Sequence, residues 1–165
     1  MVDVCTNYLQ SKLNAAMGND FLGDAPQIFN SLKELQDCVD VRCAAVLIRS
    51  DTLTYSGRPR RNLATGKDDL CLYDRALTVD VVIGEENKSK LDSIFSAFVA
   101  ALGRGFTDNG HYIAIEFGEA EWVDKKDSIL NANIAVELQI KFTGGIYRAA
   151  NYKQLSDIQI GKDEP

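Results

Sequence analysis

A single imidazole, His111, is present in the 165 residues, so histidine acid–base chemistry near neutral pH has only one place to reside. A serine or cysteine hydrolase would use it as the base, with a nucleophile and an orienting acid brought near by the fold. No nucleophile elbow or other local signature accompanies it, and at a turn-to-strand boundary the ring is expected to be exposed. Glu116, Glu119, Glu121 and Asp124 offer carboxylates for paired acid–base work or for a cation. They stand along a strand and run into Lys125 and Lys126, which is the pattern of a solvated face. The four cysteines, Cys5, Cys38, Cys43 and Cys71, are 33, 5 and 28 residues apart. No Cys-x-x-Cys pair marks a zinc or redox site, and reduced, mostly buried thiols are expected.

Gly66-Lys67, within Ala64-Thr65-Gly66-Lys67-Asp68, has the glycine–lysine pair of a phosphate loop. Arg61 stands where the upstream glycine belongs and Asp68 replaces the Ser/Thr, so an exposed turn is expected. Gly103-Arg104-Gly105 lacks a third glycine and follows a helix, so no dinucleotide fingerprint exists. The basic run is different. Arg58, Arg60, Arg61 and Lys67 come with no acid between positions 58 and 67, giving either a solvated loop or a docking arm for an acidic partner or DNA. Without interleaved aromatics it makes a weak nucleic-acid signal. No cofactor, metal site or enzymatic activity is expected.

The whole chain carries 24 acidic against 18 basic residues, a net charge of -6. That balance disfavours wrapping phosphates, although DNA can slide past an acidic surface. With 45% hydrophobic and 25% charged residues the composition is that of a globular domain. No apolar run approaches the ~20 residues of a membrane helix. The N-terminus has no basic, then apolar, leader, so the expected location is the cytosol where the chain is made.

The elements that must position these groups follow from periodicity. Cys5, Tyr8, Leu9, Leu13 and Ala16 mark a helix over Val2–Met17, stopped at Gly18. Asp24 as cap, Pro26, and a stripe of Ile28, Phe29, Leu32 and Leu35 predict a second, shorter helix. Val39–Ile48 reads as a strand apolar on both faces. Arg49–Leu70 reads as a long loop or extended hairpin arm, uncommon in a compact domain unless it is used. Cys71–Gly84 returns to strand. Asn87 caps a helix with Leu91, Ile94, Phe95, Phe98, Val99 and Leu102 on one face. Gly103–Gly110 is a turn-rich link. His111–Val123 is a strand with Ile113, Ile115 and Phe117 inward, and Gly118 marks a bulge. Ile134, Val136, Leu138, Ile140 and Phe142 alternate along a closing strand that Gly144-Gly145 interrupts. The expectation is one α+β domain over 1–150, with a flexible tail over 151–165. Its sheet is mostly antiparallel, of about four strands with two or three helices on it and a long loop between the first two strands.

Val136–Arg148, Val-Glu-Leu-Gln-Ile-Lys-Phe-Thr-Gly-Gly-Ile-Tyr-Arg, resembles the end of small tail-completion proteins of long-tailed phages and prophages. In those proteins a closing alternating strand runs into a glycine turn and an aromatic-Arg finish. The layout over residues 1–148 is similar to the same group. The resemblance to tail terminators implies a homo-oligomeric ring, typically hexameric, on the head-proximal end of the tail tube. It implies as partners a tail tube protein, a head-completion or connector protein and, in a contractile tail, the sheath. DNA passes only as cargo, no membrane is involved, and the place of work is the virion tail, assembled in the host cytoplasm. The contact residues it implies are Arg58, Arg60, Arg61, Lys67, Tyr147 and Arg148. The alternatives are a tail tube or other tail subunit, and a small enzyme or ligand-binding domain using His111.

Overall fold

The computed structural model describes residues 1–18, 27–31, 34, 42–124 and 134–149. Among them are helices α1 (Val2–Met17) and α2 (Lys88–Leu102). The strands are β1 (Gln27–Phe29), β2 (Cys43–Arg61), β3 (Asp68–Glu85), β4 (Gly105–Asp108), β5 (His111–Asp124) and β6 (Ile134–Ala149). They form one six-stranded sheet in the order β1-β2-β3-β6-β5-β4. β1 lies parallel to β2 and every other pairing is antiparallel. The sheet curls into a half-barrel.

The α+β class holds, but the expected sheet of about four strands does not. Two short strands had been read otherwise. Ile28 and Phe29, placed on a helical stripe, lie in β1 beside Ala44 and Ala45. Leu32, Leu35 and the rest of that expected helix fall outside the described residues, apart from Glu34. Gly105–Asp108, read as a turn, is β4, folded back on His111–Ala114 through Asn109 and Gly110, both at positive φ. Of the two readings of Arg49–Leu70, the extended hairpin arm holds and the long loop does not. β2 and β3 continue through this stretch as a hairpin paired from Ala44↔Ile83 to Arg61↔Asp68, with bulges at Ile48/Ser50 and Tyr55/Arg58. Gly57, at φ 64, sits in the second bulge, a conformation glycine enters without a Cβ clash.

Both helices lie on one face of the sheet. Cys5, Leu9, Leu13 and Met17 of α1 and Leu91, Ile94, Phe98 and Leu102 of α2 are buried there. Beneath them are Ala44, Val46, Leu77, Val79, Val81, Ile83, Val136, Leu138, Ile140 and Phe142. The inward row of the closing strand is therefore the expected one, from half-buried Ile134 to Phe142. Asn87 caps α2 by accepting from the Lys90 amide at 2.9 Å, an arrangement worth about 1 kcal/mol. The Tyr8 hydroxyl of α1 donates to the Leu102 carbonyl at the far end of α2, satisfying an acceptor that the helix itself cannot. On the other face, at the β1 end, Cys43, Ala45, Val82 and Ala135 are buried with Phe29, Leu47 and Val123 against them. Glu85, which follows Val81 and Ile83 on the helix-covered face, is buried as well and pairs with Arg42 Nε at 3.0 Å. Cys5, Cys43 and Cys71 are buried; burial pushes the Cys5 thiol up to about 11. Cys38, residues 125–133 and the tail 151–165 lie outside the described residues. Among the described residues no helix is long and apolar enough to cross a membrane.

Candidate functional site

Glycines 144 and 145 do not end β6. They stay in register opposite Arg75 and Asp74, and the strand runs on to Ala149. A Cβ on Gly145 would lie 2.8 Å from the Tyr147 ring and 2.9 Å from the Cys71 sulfur, so glycine here lets an aromatic ring and a thiol close over the backbone. With β6 extended, register decides where the candidate contact residues go. Arg58, Arg60 and Arg61 stand opposite Cys71, Asp69 and Asp68, while Tyr147 and Arg148 stand opposite Cys71 and Leu70 from the other side. Two strand spacings, about 10 Å, separate β2 from β6. Lys67 sits in the turn beyond. All six residues thus gather at one end of the molecule.

They are not equivalent there. Arg60 and Arg61 face Asp74 and Asp68, each at 3.7 Å. Arg58, Lys67 and Arg148 are exposed and have no ion-pair partner among the described residues. Tyr147 is half-buried and stacks flat on His111, with centroids 3.5 Å apart and planes 5° from parallel. Burial, then the Cys71 thiol beside it, pushes its hydroxyl above the usual tyrosine range.

His111 is not the exposed ring its position predicts. It is buried, with Nε2 2.9 Å from Asp69 Oδ2. Asn62, 49 positions earlier in the chain, holds the arrangement together. Its Nδ2 donates to Asp69 Oδ2 at 2.8 Å and to the Asn109 carbonyl at 3.3 Å. Its Oδ1 accepts from the Ala64 and Thr65 amides at 3.0 and 3.1 Å, an Asx turn that shapes the hairpin tip. The Leu63 amide donates to the Gly110 carbonyl at 2.7 Å. The β2–β3 turn is therefore tied to the β4–β5 turn across the end of β6. The Asn62 bond, and secondarily the His111 bond, hold the Asp69 carboxyl below the usual carboxylate value of 3.8.

Sequence alone missed this cluster, because Asn62, Asp69, His111 and Tyr147 are adjacent only through strand register. A cavity of about 320 Å³ opens beside it, lined among others by Met1, Asn62, Asp69, His111 and Tyr147. Among the described residues no Ser, Thr or Cys side chain hydrogen-bonds His111; its contacts are to Asp69, Asn62 and the Tyr147 face. The geometry orients and fixes the ring as a structural tie. The acidic side chains stand further along the same strand: Glu121 lies about 34 Å along β5 from His111 at a strand rise of ~3.4 Å per residue.

Glu116, Glu119 and Glu121 are exposed, as their pattern predicts. Phe117 pairs with inward Ile140 but is 43% exposed, next to the bulge between Phe117 and Ala120 that Gly118 marks. Trp122 is partly exposed and meets Phe95 of α2 edge-to-face at 5.9 Å. On the sheet face away from the helices, Asp80, Glu119, Glu121 and Glu137 line a groove of about 490 Å³ with Arg49. Glu121 stands directly opposite Glu137. Burial, then Glu121 and Asp80, raise the Glu137 carboxyl above its usual value. No protein-family model matches this chain, and no curated protein matches it.

Proposed function

We propose that this chain is a structural assembly protein of the tail-terminator kind. Copies of it form a ring on the head-proximal end of a phage tail tube, halt tube growth and present the surface that joins the head. The observation that carries this is the basic end of the sheet. Arg58, Lys67 and Arg148 are all exposed at one end of the sheet, where the hairpin turn is fixed by the Asn62–Asp69–His111 contacts. A pre-ordered tip loses little conformational entropy on docking, which suits an assembly joint better than a mobile loop does. Its partners are acidic surfaces of the tube protein and of the head-completion or connector protein, and the sheath where the tail contracts. The acidic groove on the opposite sheet face would repel DNA phosphates, as a surface beside passing DNA should. The sequence resemblance at Val136–Arg148 supports the same assignment.

The test is electron microscopy of lysates from the phage or prophage that encodes the chain, with its gene deleted. Tails of unregulated length and free heads are expected. Joined particles with tails of normal length would refute the assignment.

A further inference from the structure

The sheet ends in two long strand edges that are open in different ways. β2 is covered by β1 only at Cys43–Ala45, so from Val46 to Arg61 its outer edge pairs with no strand among the described residues. β5 is covered by β4 only at His111–Ala114, and Ile115 donates back to the Arg104 carbonyl. From Glu116 to Asp124 its outer edge is likewise unpaired among the described residues. An open edge of this length is a template for another strand unless something blocks it. β2 carries partial blocks, Pro59 and the bulges at Ile48/Ser50 and Tyr55/Arg58. Between the bulges, Ser50–Tyr55 runs regularly, with Leu53 53% and Tyr55 74% exposed.

The charges of the two edges are opposite. β2 brings Arg49, Arg58, Arg60 and Arg61 against one acid of its own, Asp51, which Arg75 already engages with two hydrogen bonds. Arg49, Arg60 and Arg61 reach Asp80, Asp74 and Asp68 of β3 at 3.5–3.7 Å yet stay more than half exposed, and Arg58 has no ion-pair partner among the described residues. β5 brings Glu119 and Glu121, with Glu116, which Lys141 of β6 meets at 3.4 Å, and exposed Phe117 beside them. A basic edge and an acidic edge on opposite margins of one sheet cannot meet within a molecule. They can meet between molecules.

We infer that the outer edge of β2 in one copy docks on the outer edge of β5 in the next, joining sheets head to tail. The occupant of each edge is a second copy of this chain, because the two margins are complementary in charge and both offer backbone groups that pair with no strand among the described residues, together with exposed apolar side chains. The contact is heterologous, which is the kind of contact a ring requires, and it closes where the repeated rotation completes a turn. The blocks on β2 confine pairing to a short register and leave charge to select the partner. This deepens the ring assignment above and rests on it for biological context, though edges and charges carry it.

Two variants test the contact. Arg58→Glu with Arg60→Glu makes both margins acidic; Glu119→Lys with Glu121→Lys makes both basic. Size-exclusion chromatography with light scattering at low salt should give a discrete assembly for the wild type. Each variant alone should weaken assembly at least about tenfold, and an equimolar mixture should restore it, with the two copies alternating. Circular dichroism verifies folding, and the Gln versions of the same positions supply the weaker form of the effect if a reversal unfolds the chain. A wild type that stays monomeric at low salt overturns the contact, as does assembly indifferent to both reversals. In the second case the ring stands on another surface, and tail length in the gene deletion still judges the assignment separately.

Discussion

Strands β2, β3 and β6 run the length of the molecule, and their two halves are held by different forces. In the half under α1 and α2, Val46, Val79, Val81, Leu138 and Ile140 are buried beneath Leu9, Leu13, Phe98 and Leu102. Stability there comes from apolar area removed from water, at roughly 25 cal/mol per Å². Beyond Asp51 no helix among the described residues covers β2. Thr52, Leu53, Thr54, Tyr55 and Arg58–Arg61 of β2 are exposed, and order comes from the Asn62, Asp69 and His111 contacts and from Tyr147 stacking. The first half makes the fold. The second is a presented surface stiffened by polar bonds, and that difference is why it is the better place to seek partners.

The contrast predicts effects of different size. Phe98→Ala, in the centre of the helix-covered half, should cost about 3–5 kcal/mol by urea denaturation, because it removes contacts and leaves a cavity. Arg42→Ala leaves the Glu85 carboxylate buried without its ion-pair partner and should cost about 3 kcal/mol in the same assay. Asn62→Ala should cost less, about 1–3 kcal/mol, from buried groups left without partners. Its signature is local: trypsin should cut at Arg61 or Lys67 in the variant, while the wild-type tip resists. A wild type cut there as readily as the variant would show that the tip is not tied.

The legibility of the sequence follows the same division. Helices α1 and α2, the Asn87 cap and the inward row Ile134–Phe142 were readable because burial on one face leaves a period in the sequence. The tip was not. Exposed strands such as Leu53–Arg61 have no apolar alternation, so the hairpin was indistinguishable from a long loop, and Gly144-Gly145 read as a break because close packing and flexibility select the same residue. β1 and β4, at three and four residues, are too short to show a period. Of the candidate contact residues, the basic run was visible by composition. Its meeting with Tyr147 and Arg148 depended on register, and the Asn62–Asp69–His111 cluster left no local signal.

Two smaller effects sharpen the contrast. The hydrogen bonds that hold Asp69 below 3.8, and the Arg75 bond that does the same for Asp51, favour the charged carboxylates. Their contribution is present at neutral pH and is lost as pH falls below that value and through the depressed ones. Amide protection at Leu63–Thr65 should therefore drop with acidification before protection at Leu77–Ile83 does; loss in the reverse order would contradict the polar tie. The smallest change is Glu121→Gln, which relieves the Glu121–Glu137 opposition and should raise the unfolding free energy by about 0.2–1 kcal/mol.

The most direct test of the docking surface uses Lys67→Glu with Arg148→Glu, two exposed cations at the tip that lie on neither open edge. Supplied to a phage lacking its own copy, this variant should melt like the wild type yet leave heads and tails unjoined when particles are counted in electron micrographs. Particles joined as often as with the wild-type chain would contradict the claim that the basic end is where this protein meets its partners.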